Sequence, residues 1–231
     1  MALTRKQWSL IGLGALLVGG YLFYRKRKYG SALGRARLVD RRYAEAPITG
    51  GYSDGDMKTT LRASNDMPIE ERVASLQAMI FKSVQDPEMR KLALKITSGC
   101  PERDGRCEAE AIYHYVKKNV RYSGDIAPIK FPSGEVEGID LYQSARRTLE
   151  FGAGDCDDSS VLIATLLSLN GITARLRVMT ERKGDEWSHV LPLAGLPKTE
   201  PTEWVSVDAT LPGDKSFGEQ IPFADALDFP A

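Results

Sequence analysis

Two histidines, three cysteines and no surplus of charge mark the 231-residue sequence by what it withholds. Lys and Arg number 31 and so do Asp and Glu, so a uniformly basic domain for nucleic acid is excluded. Cys100 and Cys107 bracket "PERDG". They stand either as a pair in an oxidising compartment or as two free thiols. Their spacing is not that of a C-x-x-C pair, which argues against a redox protein built on them, and Cys156 is left over. No internal repeat is visible. At 42% hydrophobic and 27% charged residues, the chain can bury one good core with a small appendage.

The neutral total hides a division. Residues 1–42 carry ten Lys and Arg against the single acid Asp40, and the remainder is correspondingly acidic. Inside the basic segment, "WSLIGLGALLVGGYLFY" from Trp8 to Tyr24 is uncharged, mostly apolar and flanked by aromatics suited to bilayer interfaces. Arg25, Lys26, Arg27 and Lys28 follow where a signal peptide would need small residues for cleavage. Residues 1–28 therefore read as an uncleaved single-pass anchor touching lipid through residues 8–24. The positive C-terminal flank is a slight argument for the cytoplasmic side and leaves the sidedness open.

Residues 29–66, rich in Gly, Ser, Asp and Arg and without a sustained period, read as a linker, and residues 67–231 as the domain. Helical spacing starts at Pro68, with Ile69, Val73, Leu76 and Ile80 on one face. A second helix opens at Pro87, buries Met89, Leu92, Ala93 and Ile96, and stops at Gly99. A third runs from about Cys107 to Asn119. After a loop with Pro128 and Pro132 comes "FGAGDCDDSSVLIATLLSLNG", residues 151–171. Asp155 is its expected N-cap, Asn170-Gly171 its stop, and the helix between has almost no polar face, as a buried helix should. The period then changes to two in 172–180, 187–195 and 204–210. A helical half followed by three strands predicts an α+β domain in which one central helix packs on a mostly antiparallel sheet.

A thiol is a nucleophile as thiolate, and a helix N-terminus favours that form. Cys156 sits in the first turn of the central helix. Of the two possible bases, His114 lies on an amphipathic helix beside tyrosines and reads as a surface residue, while His189 lies in a strand. Asp208, in the otherwise apolar "WVSVDAT", is costly there without a partner and would orient the imidazole. Asp155, Asp157 and Asp158 read as a helix cap in place of a cation site, and the chemistry needs no metal or cofactor. These acids oppose ionisation of the thiol, so activation falls mainly to His189. Gly152 and Gly154 would allow a tight turn and the approach of a substrate backbone.

"AIYHYVKKNVRYSGD", "TLEFGAGDCDDSSVLIATLLSLNGITARLRV", "WSHVLPL" and "EWVSVDAT" together resemble the transglutaminase-like superfamily of papain-related cysteine enzymes. They look most like its bacterial and phage branch of transglutaminase-like cysteine peptidases. The similarity covers about residues 68–212. It implies Cys156 as nucleophile, His189 as base and Asp208 as orienter, with Gln143 or Tyr122 as a second oxyanion donor beside the Cys156 amide. Two functions then compete. One is a membrane-anchored enzyme, phage-encoded and virion-associated, cutting or transferring amides of protein or peptidoglycan. The other is a structural protein, phage-encoded and partnered with virion proteins, that keeps the fold without needing the activity.

Overall fold

The apolar run that follows Cys156 forms the centre of the molecule. In the computed structural model, which describes residues 37–38, 60–64, 67–124, 129–130, 136–137, 139–213 and 215–231, it is a 14-residue helix, Cys156–Leu169. Val161, Leu162, Ile163, Ala164, Leu166 and Leu167 are all without exposed surface, so helices and sheet must cover this helix on every side. Asp155 caps its start by accepting the Asp157 amide at 3.2 Å. Gly171, at φ +71°, ends it, with the Ile172 amide reaching back to the Leu167 carbonyl.

The elements in chain order begin with β1 (Arg37–Leu38), β2 (Thr60–Ser64), α1 (Ile69–Ser83), α2 (Pro87–Thr97) and α3 (Gly105–Asn119). Short strands follow: β3 (Arg121–Tyr122), β4 (Ile129–Lys130), β5 (Val136–Glu137) and β6 (Ile139–Gln143). Next come α4 (Ala145–Phe151), β7 (Ala153–Gly154) and the central α5 (Cys156–Leu169). The C-terminal half adds β8 (Ala174–Thr180), β9 (His189–Leu196), β10 (Glu203–Ser206) and β11 (Asp225–Pro230). One sheet of order β1-β11-β8-β9-β10 forms the floor, antiparallel except where β1 joins β11. Helices α1 to α4 and this sheet enclose α5, as the sequence pattern predicts for an α+β domain.

Several boundaries differ from expectation, each for a local reason. Helix α3 starts at Gly105, two residues early, because the Asp104 side chain caps the Cys107 amide. Pro68 occupies the N-cap of α1, one place before its first turn. The third strand ends at Ser206 and does not reach Thr210, since Asp208 turns the chain by accepting the Thr210 amide. Helix α4 and strand β11 were not anticipated. In β11, Asp228 breaks the apolar alternation and is matched by a bidentate Arg177 on β8, at 2.6 and 2.8 Å. Two short pieces of the expected linker pair with sheets: β1 with β11, and β2 with β6. Residues 8–24 and their basic flanks lie outside the described residues. Among the described residues no helix is long and apolar enough to cross a membrane. Cys100 and Cys107 form a disulfide between the end of α2 and the start of α3.

Candidate active site

Three neighbouring elements deliver three side chains to one place. The first turn of α5 carries Cys156, the first residue of β9 is His189, and Asp208 lies two residues beyond β10. Ser160, one turn into α5, donates from Oγ to the Val190 carbonyl at 3.2 Å, tying the helix of Cys156 to the strand just after His189. Strands β9 and β10 pair antiparallel, and the Val207 amide continues that pairing onto the Pro192 carbonyl. Asp208 thus emerges alongside the start of β9.

The imidazole Nε2 meets Asp208 Oδ2 at 2.7 Å, with the His189 side chain 17% exposed and that of Asp208 2%. Cys156 is the second group acting on the imidazole, beside Asp208. Burial pulls the imidazolium down. Asp208, through hydrogen bond and charge, and Cys156 together overcome this and lift His189 to about 10. Burial pushes the Asp208 carboxyl up, but His189 and the two donors of Thr210 outweigh it and hold the group below its ordinary value. The pair therefore favours an imidazolium beside a carboxylate across the neutral range, the state needed to stabilise a thiolate.

Cys156 and His189 open onto a cleft of about 400 Å³, with Asp208 behind the imidazole and not among the lining residues. Ile69, Arg72, Val73 and Leu76 of α1 form one wall, Tyr122 and Gly124 another, and Glu186 to Val190 the rim next to His189. Arg72 Nε donates to the buried hydroxyl of Tyr142 at 3.1 Å.

The three aspartates around the thiol have separate duties. Asp155 caps α5. Asp158, buried, accepts the Gln143 backbone amide at 2.6 Å and also the Gln143 side-chain amide, which locks the end of β6 onto the helix of Cys156. Burial above all, then the charge and hydrogen bond of Asp155, raises Asp157 well above the usual carboxylate range. This upward shift disfavours a negative charge on Asp157 beside the sulfur, which eases the objection that the acids pose in the sequence. One oxygen from each of the three carboxyls lies within 4.8 Å of the others, a spacing that a cation could use.

Of the two oxyanion candidates, Tyr122 lines the cleft and is 58% exposed. Gln143 is not among the lining residues, and its side-chain amide is engaged by Asp158 and, at 3.4 Å, by the Ala153 carbonyl. Gly154 makes room for Asp158 and not for a substrate: a Cβ there would stand 2.6 Å from the Asp158 Cβ. That Gly154–Asp158–Gln143 latch was missed in the sequence, although the glycine four residues before Asp158 was its signal. His114 is exposed on α3, away from the cleft.

No curated protein matches the chain. Among solved structures, a protein of Cytophaga hutchinsonii assigned as a cysteine protease aligns at 20% identity and TM-score 0.40, covering 65% of this chain and 49% of that one. A protein of Parabacteroides distasonis assigned as a protease aligns at 14% identity and TM-score 0.40, covering 65% and 30%. A TGase aligns at 17% identity and TM-score 0.36, covering 65% and 36%. The chain thus spans less than half the length of these structures. The family model of the transglutaminase-like superfamily matches residues 90–209, just over half of the chain and inclusive of Cys156, His189 and Asp208, and the protein belongs to that superfamily.

Proposed function

We propose that the protein is a membrane-anchored cysteine enzyme of the transglutaminase-like cysteine peptidase branch, acting on amide bonds of protein or peptidoglycan. The anchor is residues 8–24, supported by their composition and basic flanks. The single observation that carries the activity is the meeting of a helix-start thiol and an imidazole on one cleft, with the buried carboxylate of Asp208 at 2.7 Å from His189 behind them. The Cys156 thiolate attacks the amide carbonyl, and the oxyanion is held by the Cys156 amide with Tyr122 as second donor. As the C–N bond breaks, His189 gives its proton to the leaving amine and a thioester remains. Water or a second amine then attacks the thioester. His189 takes up the attacking proton, and the thiolate is released.

The test uses the full 231-residue chain with a fluorescent peptide-amide electrophile that traps reactive thiols. Wild type should label at Cys156, Cys156→Ala should not label, and His189→Ala should label at least about 100-fold more slowly. Equal labelling of wild type and His189→Ala overturns the proposal. Supplying a primary amine with a peptide substrate separates hydrolysis from transfer by the products formed.

A further inference from the structure

The carboxylate of Asp208 has two oxygens, and the structure divides them. Oδ2 faces His189 Nε2 at 2.7 Å, while Oδ1 accepts two donors from a single residue, the Thr210 amide at 3.0 Å and the Thr210 hydroxyl at 2.6 Å. We propose that Thr210 is a positioning residue for the site: its paired donors on Oδ1 fix the rotation of the Asp208 carboxylate so that Oδ2 stays in line with His189. The inference rests on the reading of Cys156, His189 and Asp208 as one catalytic group, and adds a residue that acts through Asp208 without touching substrate.

Strand β10 has ended at Ser206, so Asp208 is held by no sheet ladder of its own. A carboxylate on a turn can rotate about its terminal bond, and that rotation is broad unless donors fix it. A hydroxyl and an amide converging on one oxygen do so, and both favour the ionised form. The turn itself is strapped from behind by α3. Lys117 Nζ donates to the Leu211 carbonyl at 2.7 Å, the Tyr113 hydroxyl donates to the Lys215 carbonyl at 2.5 Å, and the Gly218 amide returns to the Ser206 carbonyl at 3.1 Å. The loop therefore cannot follow a displaced carboxylate, and loss of the Thr210 hydroxyl should fall on the His189–Asp208 contact.

Cys156 acts on His189 and Tyr113 of α3 feels the charge of Asp208, while Arg72, Tyr122, Tyr142, Asp155, Asp157 and Glu186 line the cleft with His189. None is altered by a change at Thr210, so a change in His189 titration reports on Asp208.

The experiment exploits the scarcity of histidine. With only His114 and His189 present, a histidine-labelled 231-residue chain gives two imidazole signals by NMR, and His189→Gln assigns them. In Thr210→Val, which keeps shape and amide but loses the hydroxyl, the His189 midpoint should fall by about half a pH unit or more. Thr210→Ser should restore the wild-type midpoint, and His114, outside the cleft, should be unmoved in both. Should Thr210→Val fail to fold, Thr210→Ala is read the same way. A His189 midpoint that stays at the wild-type value without the hydroxyl overturns the inference, as does a Thr210→Ser midpoint displaced as far as that of Thr210→Val. The titration needs no turnover, so it is independent of the labelling test. A protein that fails to label yet shows this pattern would retain the clamp and lose the proposed activity.

Discussion

A methyl group added at Gly154 tests how the nucleophile is held. An ideal Cβ there would lie 2.6 Å from Asp158 Cβ and 2.7 Å from its Oδ2, far inside the 3.5–4.0 Å at which carbon contacts are comfortable. Asp158 cannot turn away cheaply, because the Gln143 backbone and side-chain amides hold both its oxygens. Relief must come from moving the first turn of α5, and Cys156 rides on that turn. Overpacking of this kind costs about 1–3 kcal/mol. At about 2 kcal/mol the melting temperature should fall by roughly 4–8 °C. The second readout is the alkylation rate of Cys156 by iodoacetamide at pH 7. With Cys100 and Cys107 joined, Cys156 is the one thiol that can react. Gly154→Ala should slow the reaction severalfold as the sulfur leaves His189. Gly152→Ala is the control. Its φ of +60° makes any side chain cost about 1–2 kcal/mol, but its nearest neighbour, the Asn119 carbonyl oxygen, is an ordinary 3.5 Å away. It should lower stability and leave the alkylation rate alone. A Gly154→Ala protein as stable and as reactive as wild type would refute the latch, and so would equal loss of reactivity in both variants.

Three further outcomes follow from buried charge. His189 is raised to about 10 in the folded protein against 6.5 as its ordinary value. Its stabilisation is therefore complete below pH 6.5 and is lost as pH rises through 10, a loss of up to about 5 kcal/mol. Urea midpoints at pH 7 and pH 10 should differ less in His189→Gln than in wild type. Asp157 is raised above its ordinary value, first by burial and then by Asp155, so the fold prefers it neutral and loses stability as pH climbs above the usual aspartate range. Asp157→Asn should then be at least as stable as wild type at pH 7 in the same urea assay, and clear destabilisation there would count against a neutral Asp157. Arg146→Met should cost about 3–5 kcal/mol in chemical denaturation, because it strands the carboxylate of Asp86, 1% exposed and bonded to Arg146 Nε at 2.6 Å. A loss within about 1 kcal/mol would show that solvent reaches Asp86 after all.

The central helix was legible because its apolar residues run all round and its ends carry recognisable stops, Asp155 and Asn170-Gly171. The relation of Cys156, His189 and Asp208 was legible because histidine is scarce and an acid in an apolar strand pattern demands a partner. What stayed hidden depended on contacts between distant segments. Asp228 looks wrong for a strand until Arg177 is seen opposite it. "ARRTLEF" is too short and too polar to declare itself, and α4 forms because Arg146 reaches Asp86, sixty residues earlier. Gln143 invites an oxyanion role by its chemistry, and Asp158 claims its donors by proximity. The paired donors of Thr210 follow from where β10 stops, which period-two alternation does not reveal.

The position of β11 has a consequence for the unfinished chain. This strand sits between β1 and β8, inside the sheet that floors α5. During synthesis Cys156 appears first, His189 and Asp208 later, and residues 225–230 after them all. Until they arrive, β8 presents a bare edge and the sheet under the nucleophile is incomplete. Pairings over so long a stretch of chain form slowly. A chain that ends before β11 therefore keeps β8 as an open edge strand, a template on which another chain can pair.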